Sequence, residues 1–176
     1  AAWVGGPCRA MAGRELGCVS ETVRVRLAPG WRQVTADELP AGLLRGTQDT
    51  VRYIAAAVPQ TRAYAPNLVV VRTPLGVGED PGAVLVGSGR AIVDAIPGVR
   101  MIDECPAEHL HEGGRLRSGI YILDETALTF MQLAWIQQTL SEGACLWTAT
   151  FTCATRELGA HFGHMYEMSR SLEVVA

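Results

Sequence analysis

The chain has 176 residues and a mass of 18.9 kDa, a length that suits one domain with a core large enough to fold without metals or disulfides. Hydrophobic residues make up 48% and charged residues 19% of the chain, which excludes a mostly disordered protein and a coiled coil. The formal net charge of -3 argues against nucleic acid as the main partner, because phosphate binding needs a basic surface.

Residue usage bears on the source and the compartment of the protein. All 15 basic residues are arginine, which, beside the abundant Ala, Gly and Val, is typical of a GC-rich genome. No stretch of about eighteen apolar residues is present, so the sequence predicts no transmembrane helix. The five cysteines lack paired spacing and are interpreted as reduced thiols, which favours the cytoplasm, with an exported or envelope-associated location as the alternative.

Strands are predicted throughout the first part of the chain. Val23, Val25 and Leu27 alternate with Arg24 and Arg26, which is typical of a strand with one buried face. β-branched and apolar runs continue this pattern further along the chain. The predicted strands span residues 22–27, 31–34, 51–58 and 67–73.

A helix is predicted in the middle of the chain, from Pro81 to just before Pro97. Asp80 stands where an N-cap is expected, and proline is favoured at the first helical position. Apolar and small residues recur along it at helical spacing, which predicts one face packed on a sheet. These residues are Val84, Leu85, Ser88, Ala91, Ile92 and Ala95.

The last part of the chain predicts an antiparallel meander followed by a helix. A Gly-Gly hairpin signal and short polar turns separate extended runs over residues 99–105, 117–123, 127–137 and 145–154. Thr155 is predicted to cap the closing helix. The apolar stripe of that helix is predicted to pack on the sheet and consists of Leu158, Phe162, Met165, Ser169 and Leu172.

We therefore predict an N-terminal extension over residues 1–20 and a single α+β domain over residues 21–176. Several short motifs also stand in a familiar order: an early Pro-Gly-Trp turn, a Pro-Asn that opens a strand, a middle helix, a meander and a late serine. They are Pro29-Gly30-Trp31, Pro66-Asn67, Gly119-Ile120-Tyr121, Gln132-Leu133-Ala134-Trp135, Leu146-Trp147-Thr148, and Ser169 or Ser171.

In this order the motifs resemble the PsbP-like fold, and in particular the actinobacterial LpqN/LpqT family, over residues 20–175. The resemblance implies a single-domain αβα sandwich with a central antiparallel sheet. It also implies a protein that binds rather than catalyses, and it brings no shared active-site residues to this chain.

A histidine-containing segment is the best metal candidate. Glu108, His109, His111 and Glu112 follow Cys105 closely, and two histidines in a strand would point to the same face, where they could bind zinc. The alternative, which the adjoining Gly-Gly signal favours, is an exposed polar hairpin. A small metal-dependent hydrolase is the function that the metal interpretation would imply.

Motifs for nucleophiles and phosphate loops are missing from the sequence. Gly87-Ser88-Gly89 lies inside the predicted helix rather than at a strand–helix elbow, and the chain has no lysine to complete a phosphate loop. Cys145 and Cys153 fall on a strand face that is predicted to be buried, where thiols are usually inert. The sequence therefore predicts no catalytic residue, no metal and no cofactor.

Four aromatic residues provide the candidate binding site. Trp31, Tyr64, Tyr121 and Trp135 are predicted to line one edge of the sheet beside arginines, although core packing is the alternative. We expect a non-enzymatic binding or assembly module that docks a protein partner, with an association with the envelope or with secretion. A carrier of an apolar or lipid-like ligand is the alternative, and a homo-oligomer is compatible with either.

Overall fold

The computed structural model describes residues 21–39, 50–58, 64–139 and 143–175. The predicted N-terminal extension, Cys8 and Cys18 lie outside these residues. The described chain forms β1 (Thr22–Arg24), β2 (Trp31–Gln33), β3 (Val51–Ala57), β4 (Asn67–Pro74), α1 (Pro81–Ala95), β5 (Arg100–Pro106), β6 (Arg115–Leu123), β7 (Thr126–Thr139), β8 (Gly143–Ala154), α2 (Leu158–Ser171) and β9 (Glu173–Val175). In this part of the chain neither helix is long and apolar enough to cross a membrane.

Seven strands form one antiparallel sheet in the order β2-β3-β4-β8-β7-β6-β5. The four consecutive strands β5 to β8 are neighbours, which confirms the predicted meander. β8 lies at the centre of the sheet, with Trp147, Ala149, Phe151 and Cys153 buried on one side of the pleat and Leu146 and Thr152 buried on the other. β1 and β9 pair separately, with Thr22 opposite Val175.

One face of the sheet, called the α2 face, is covered by α2 and by the β1–β9 pair. Alternate side chains of the central strands point to this face and are buried in one cluster with Met165 and Met168 of α2. Those of the strands include Leu68, Val70, Leu133, Trp147, Ala149 and Phe151. Beside them, Arg72 Nε lies 2.7 Å from Glu21 Oε2 in a buried ion pair that ties the start of the domain to β4.

The opposite face, called the α1 face, carries α1. Asp80 caps this helix by accepting a hydrogen bond from the backbone nitrogen of Ala83 at 2.7 Å, and Pro81 opens it, so both predictions are confirmed. Leu85 packs against Ala134 and Leu146. With a helix on each face of an antiparallel sheet, the predicted α+β sandwich is confirmed.

The predicted stripe of α1 is too wide. Ala91 and Ala95 are exposed, and the apolar contacts of the helix come from its first half, around Val84 and Leu85. β1 is likewise shorter than the predicted strand over residues 22–27, because only its first three residues find a partner strand in β9.

Two predictions about the last helix are also wrong. A short 3-10 turn precedes α2, so the Thr155 side chain does not cap the helix, and its hydroxyl accepts a hydrogen bond from Thr129 at 3.0 Å. Phe162 is 52% exposed, whereas Met168 is buried beside Met165. The helix meets the sheet mainly through its second half, so the buried stripe passes through Met168 rather than Phe162.

Candidate docking surface

The four aromatic residues of the predicted binding site do not lie on one edge. Trp31 and Trp135 are only 8% and 2% exposed and belong to the core of the α2 face. Trp135 stands opposite Trp147 in the β7–β8 ladder, with the two ring centroids 6.2 Å apart. The predicted shared edge is wrong for these two residues, because strand alternation turns both side chains inward.

Tyr64 and Tyr121 lie together on the α1 face and stay half-buried. Asn67 donates a side-chain hydrogen bond to the Tyr64 hydroxyl at 2.8 Å, and the ring of Tyr121 lies 6.4 Å from that of Phe130. Burial raises the pKa of both phenols, so both remain neutral donors at neutral pH. Their part in binding stays a prediction.

The histidine segment forms a loop between β5 and β6 rather than a strand, so His109 and His111 do not share a face. His111 stacks on Trp135 with centroids 4.1 Å apart and planes 6° apart, whereas His109 is exposed. Burial lowers the pKa of His111, although its hydrogen bond to the backbone of Leu172 opposes that shift. In the residues that the structure describes, no three His, Cys, Asp or Glu side chains are grouped for a metal.

The thiols on the α2 face have the environment of core residues. Cys145 and Cys153 are both fully buried. Burial raises the pKa of the Cys153 thiol to about 11, and Glu157 adds to that shift, so the thiol stays protonated at neutral pH. A nucleophilic role for Cys153 therefore has no electrostatic support.

A buried arginine, which the sequence did not single out, fixes α1 on the sheet. Arg117 of β6 is completely buried, and its Nη2 donates to the carbonyl of Leu85 at 2.6 Å while its Nη1 donates to Ser88 Oγ at 2.8 Å. Its Nε lies 3.4 Å from Glu104 Oε1 on β5. One side chain thereby connects α1, β5 and β6.

Gly89 makes this arrangement possible. A Cβ at this position would lie 3.2 Å from Cζ and Nε of Arg117 and 3.3 Å from Glu104 Oε2. The Gly-Ser-Gly run of α1 thus lets the helix approach the guanidinium closely and supplies it with one hydroxyl acceptor. Its function is structural, which agrees with its position inside a helix.

Beside this contact lies the α1–β5 groove, with a volume of about 460 Å³. Its lining residues are Val86, Gly89, Arg90, Val93, Met101, Ile102, Asp103 and Glu104. Val86, Val93 and Ile102 are 50% to 62% exposed, although large apolar side chains are usually buried. The α1 positions have the spacing i, i+3, i+4, i+7, so the helix carries a second, solvent-facing stripe.

A larger groove of about 790 Å³ lies between residues 26–29 and α2. Ser171 Oγ accepts a hydrogen bond from the backbone nitrogen of Arg26 at 3.0 Å and donates to the carbonyl of Met168, which gives the late serine a structural role. None of the large, strongly exposed apolar side chains of the described chain lines it. The α1–β5 groove is therefore the better docking candidate.

Comparison with known proteins identifies the fold. No family model and no curated protein matches the chain. LpqN of Mycobacterium tuberculosis, described as involved in cell envelope biogenesis, is 15% identical with a TM-score of 0.67, covering 92% of this chain and 88% of its own. Cyanobacterial PsbP of Synechocystis is 13% identical with a TM-score of 0.53, covering 94% and 98%.

The protein Mog1, solved as its E65A mutant, is a third similar structure. It is 11% identical with a TM-score of 0.53, covering 88% of this chain and 91% of its own. The chain therefore has the PsbP-like fold, which confirms the resemblance found in the sequence at the level of the fold.

Proposed function

We propose that this chain is a non-enzymatic binding module that docks a protein partner through the α1–β5 groove. The observation that carries the proposal is the exposure of Val86, Val93 and Ile102 around one groove. Contiguous exposed apolar side chains with charged residues at their rim are typical of protein interaction sites. The similarity to LpqN supports an envelope-related setting for this interaction.

The contacts of Arg117 support a preformed site. Because its guanidinium holds α1 against β5 and β6, the two walls of the groove are fixed before a partner arrives. A preformed site loses less conformational entropy on binding. The burial of Cys153 and the core packing of His111 further support binding over catalysis.

Site-specific photocrosslinking in cells of the source organism tests the proposal. A photoreactive amino acid in place of Val86 is expected to give a discrete adduct with a partner, and Val93→Glu in the same chain to abolish it by placing a charge in the groove. Val77→Glu is the matched control, because Val77 is fully exposed in the loop before α1. An adduct that survives Val93→Glu would refute docking at this groove.

A second candidate function, a carrier for an apolar ligand, is supported by the composition of the α1 face away from the helix. Ile54, Val69, Val71 and Thr150 are half-buried there and uncharged, and Tyr64 and Tyr121 lie on the same face. Such a surface suits a ligand that needs few polar contacts. Native mass spectrometry of the protein from its source would show several hundred daltons of extra mass if a lipid-like ligand is bound.

A further inference from the structure

The charges around the α1–β5 groove point to its occupant. We infer that the groove binds the same groove of a second copy of this chain, so that two copies associate face to face. This inference rests on the proposed function, because it names the partner of the proposed docking site.

Three charged side chains line the groove beside the apolar ones: Arg90 on α1, and Asp103 and Glu104 on β5. Glu104 is already engaged by Arg117, whereas no ion-pair partner is seen for Arg90 or Asp103 among the described residues. The two free charges have opposite signs and sum to zero. A surface that packs against the same surface of a second copy needs charges of both signs, because charges of one sign would repel each other across the two-fold axis.

The apolar residues of α1 are also spaced for self-association. Val86 and Val93 are seven residues apart, with Gly89 and Arg90 midway between them. When two such helices approach in antiparallel orientation, Val86 of each copy meets Val93 of the other, and symmetry makes the contact twice. The burial of the exposed valines and of Ile102 supplies the driving force.

The edge of β5 disfavours the alternative, in which a partner adds a strand to the sheet. The β5–β6 register shifts between Met101 and Asp103, so the edge carries a β-bulge at Ile102. Pro106 lacks a backbone N–H, and Asp103 adds an exposed charge to the edge. These features hinder a continuous hydrogen-bonded ladder, so contacts between side chains must carry the association.

The first test is the mass of the intact chain at about 10 µM by analytical ultracentrifugation or native mass spectrometry. We expect twice the 18.9 kDa of one chain. Val93→Glu is expected to raise the dissociation constant by about 100-fold or more, because each dimer would bury the new charge twice. Val77→Glu adds the same charge outside the groove and should leave the dimer intact.

Charge-reversed variants give a second, independent test. Arg90→Glu leaves only acidic free charges in the groove, and Asp103→Arg leaves only basic ones. Each variant alone is expected to be monomeric, and an equal mixture of the two to form a mixed dimer. Circular dichroism and thermal unfolding verify that both variants fold, since both positions are exposed.

Three outcomes overturn the inference: a wild-type monomer at this concentration, a charge-reversed variant that dimerises alone, or a mixture that stays monomeric. A monomeric wild type whose photocrosslink is still abolished by Val93→Glu would refute the second copy while leaving the proposed function standing. If Val93→Glu changes neither the mass nor the crosslink, both fail.

Discussion

The two faces of the sheet differ in how their residues are used. The α2 face is filled by apolar side chains from α2, from the β1–β9 pair and from every central strand. The α1 face buries only Leu85 from its helix and holds that helix with the polar contacts of Arg117. The comparison indicates that the α2 face provides most of the stability, whereas the α1 face buries less apolar surface and leaves Val86 and Val93 exposed.

The largest effect should come from the α2 face. Trp135→Ala removes a buried indole that stacks on His111 and faces Trp147, and we expect it to lower the free energy of unfolding by about 3–5 kcal/mol. Urea unfolding followed by circular dichroism measures this loss. Phe162→Ala, on the exposed side of α2, is the control and should change stability by less than about 0.5 kcal/mol. Equal losses would mean that the α2 face is not the main core.

A smaller effect is expected at the α1 face. Arg117→Met removes the guanidinium that donates to Ser88, to Gln132 and to the Leu85 carbonyl, which keeps only the Ser88 hydroxyl as a side-chain donor. We expect a loss of about 2–3 kcal/mol in the free energy of unfolding, limited because the partly exposed Glu104 can be hydrated. Hydrogen exchange should then accelerate in α1 more than in β7 and β8. Arg52→Met, at an exposed position of β3 outside the groove, should change neither stability nor exchange. Uniform acceleration across the domain would contradict the specific connection to α1.

Two glycines of α1 give a sharper comparison, because replacing each with alanine should change the stability of the protein in opposite directions. Gly87→Ala meets no atom within 4 Å and should stabilise the protein by up to about 1 kcal/mol through helix propensity. Gly89→Ala places its methyl group against the held guanidinium of Arg117 and should destabilise the protein by about 1 kcal/mol. Thermal unfolding of the pair measures both. Stabilisation by both substitutions would show that Arg117 can move away.

The smallest effect concerns pH and the stack on Trp135. Burial lowers the pKa of His111 in the folded protein below its usual value of 6.5. The contribution of His111 to the free energy of unfolding is therefore fully present above pH 6.5. The contribution is lost as the pH falls from about 6.5 through the folded-state pKa, since the unfolded chain takes up the proton first. Urea unfolding at several pH values between about 7.5 and 5, which bracket the usual histidine pKa, measures this loss. His111→Phe should flatten this part of the profile, and the exposed His109→Gln should not; two parallel profiles would contradict the assignment.

Much of the fold was predictable because its signals are local. Alternation assigned Trp147, Phe151 and Cys153 to one buried face of β8, and the Asp80-Pro81 pair located the start of α1. The pairing of β1 with β9 was not predictable, because the three residues of β9 carry no signal in the sequence that indicates their partner strand. The position of Phe162 depended on which half of α2 meets the sheet, and periodicity does not determine that.

The candidate site was harder to predict than the fold. Aromatic residues suggested a surface, yet Trp31 and Trp135 pack in the core, because the face toward which a strand residue points depends on what covers that face. Arg115 and Arg117 stand on either side of Leu116, as two solvent-facing residues of a strand would, so nothing in the sequence context of Arg117 indicates complete burial. The α1–β5 groove combines a helix and an edge strand that are adjacent only in the folded sheet, and its exposed valines resemble ordinary helix residues.

The pairing of β1 with β9 brings the two extremities of the described chain to one place, since Thr22 lies opposite Val175. These two ends can therefore be joined by a linker, and new chain ends can be opened in another exposed loop. A circular permutant that joins these ends through a short linker and begins in the exposed loop at Val77 should keep every strand pairing. It would also move any attached label or tether from the β1–β9 corner to the N-terminal end of α1.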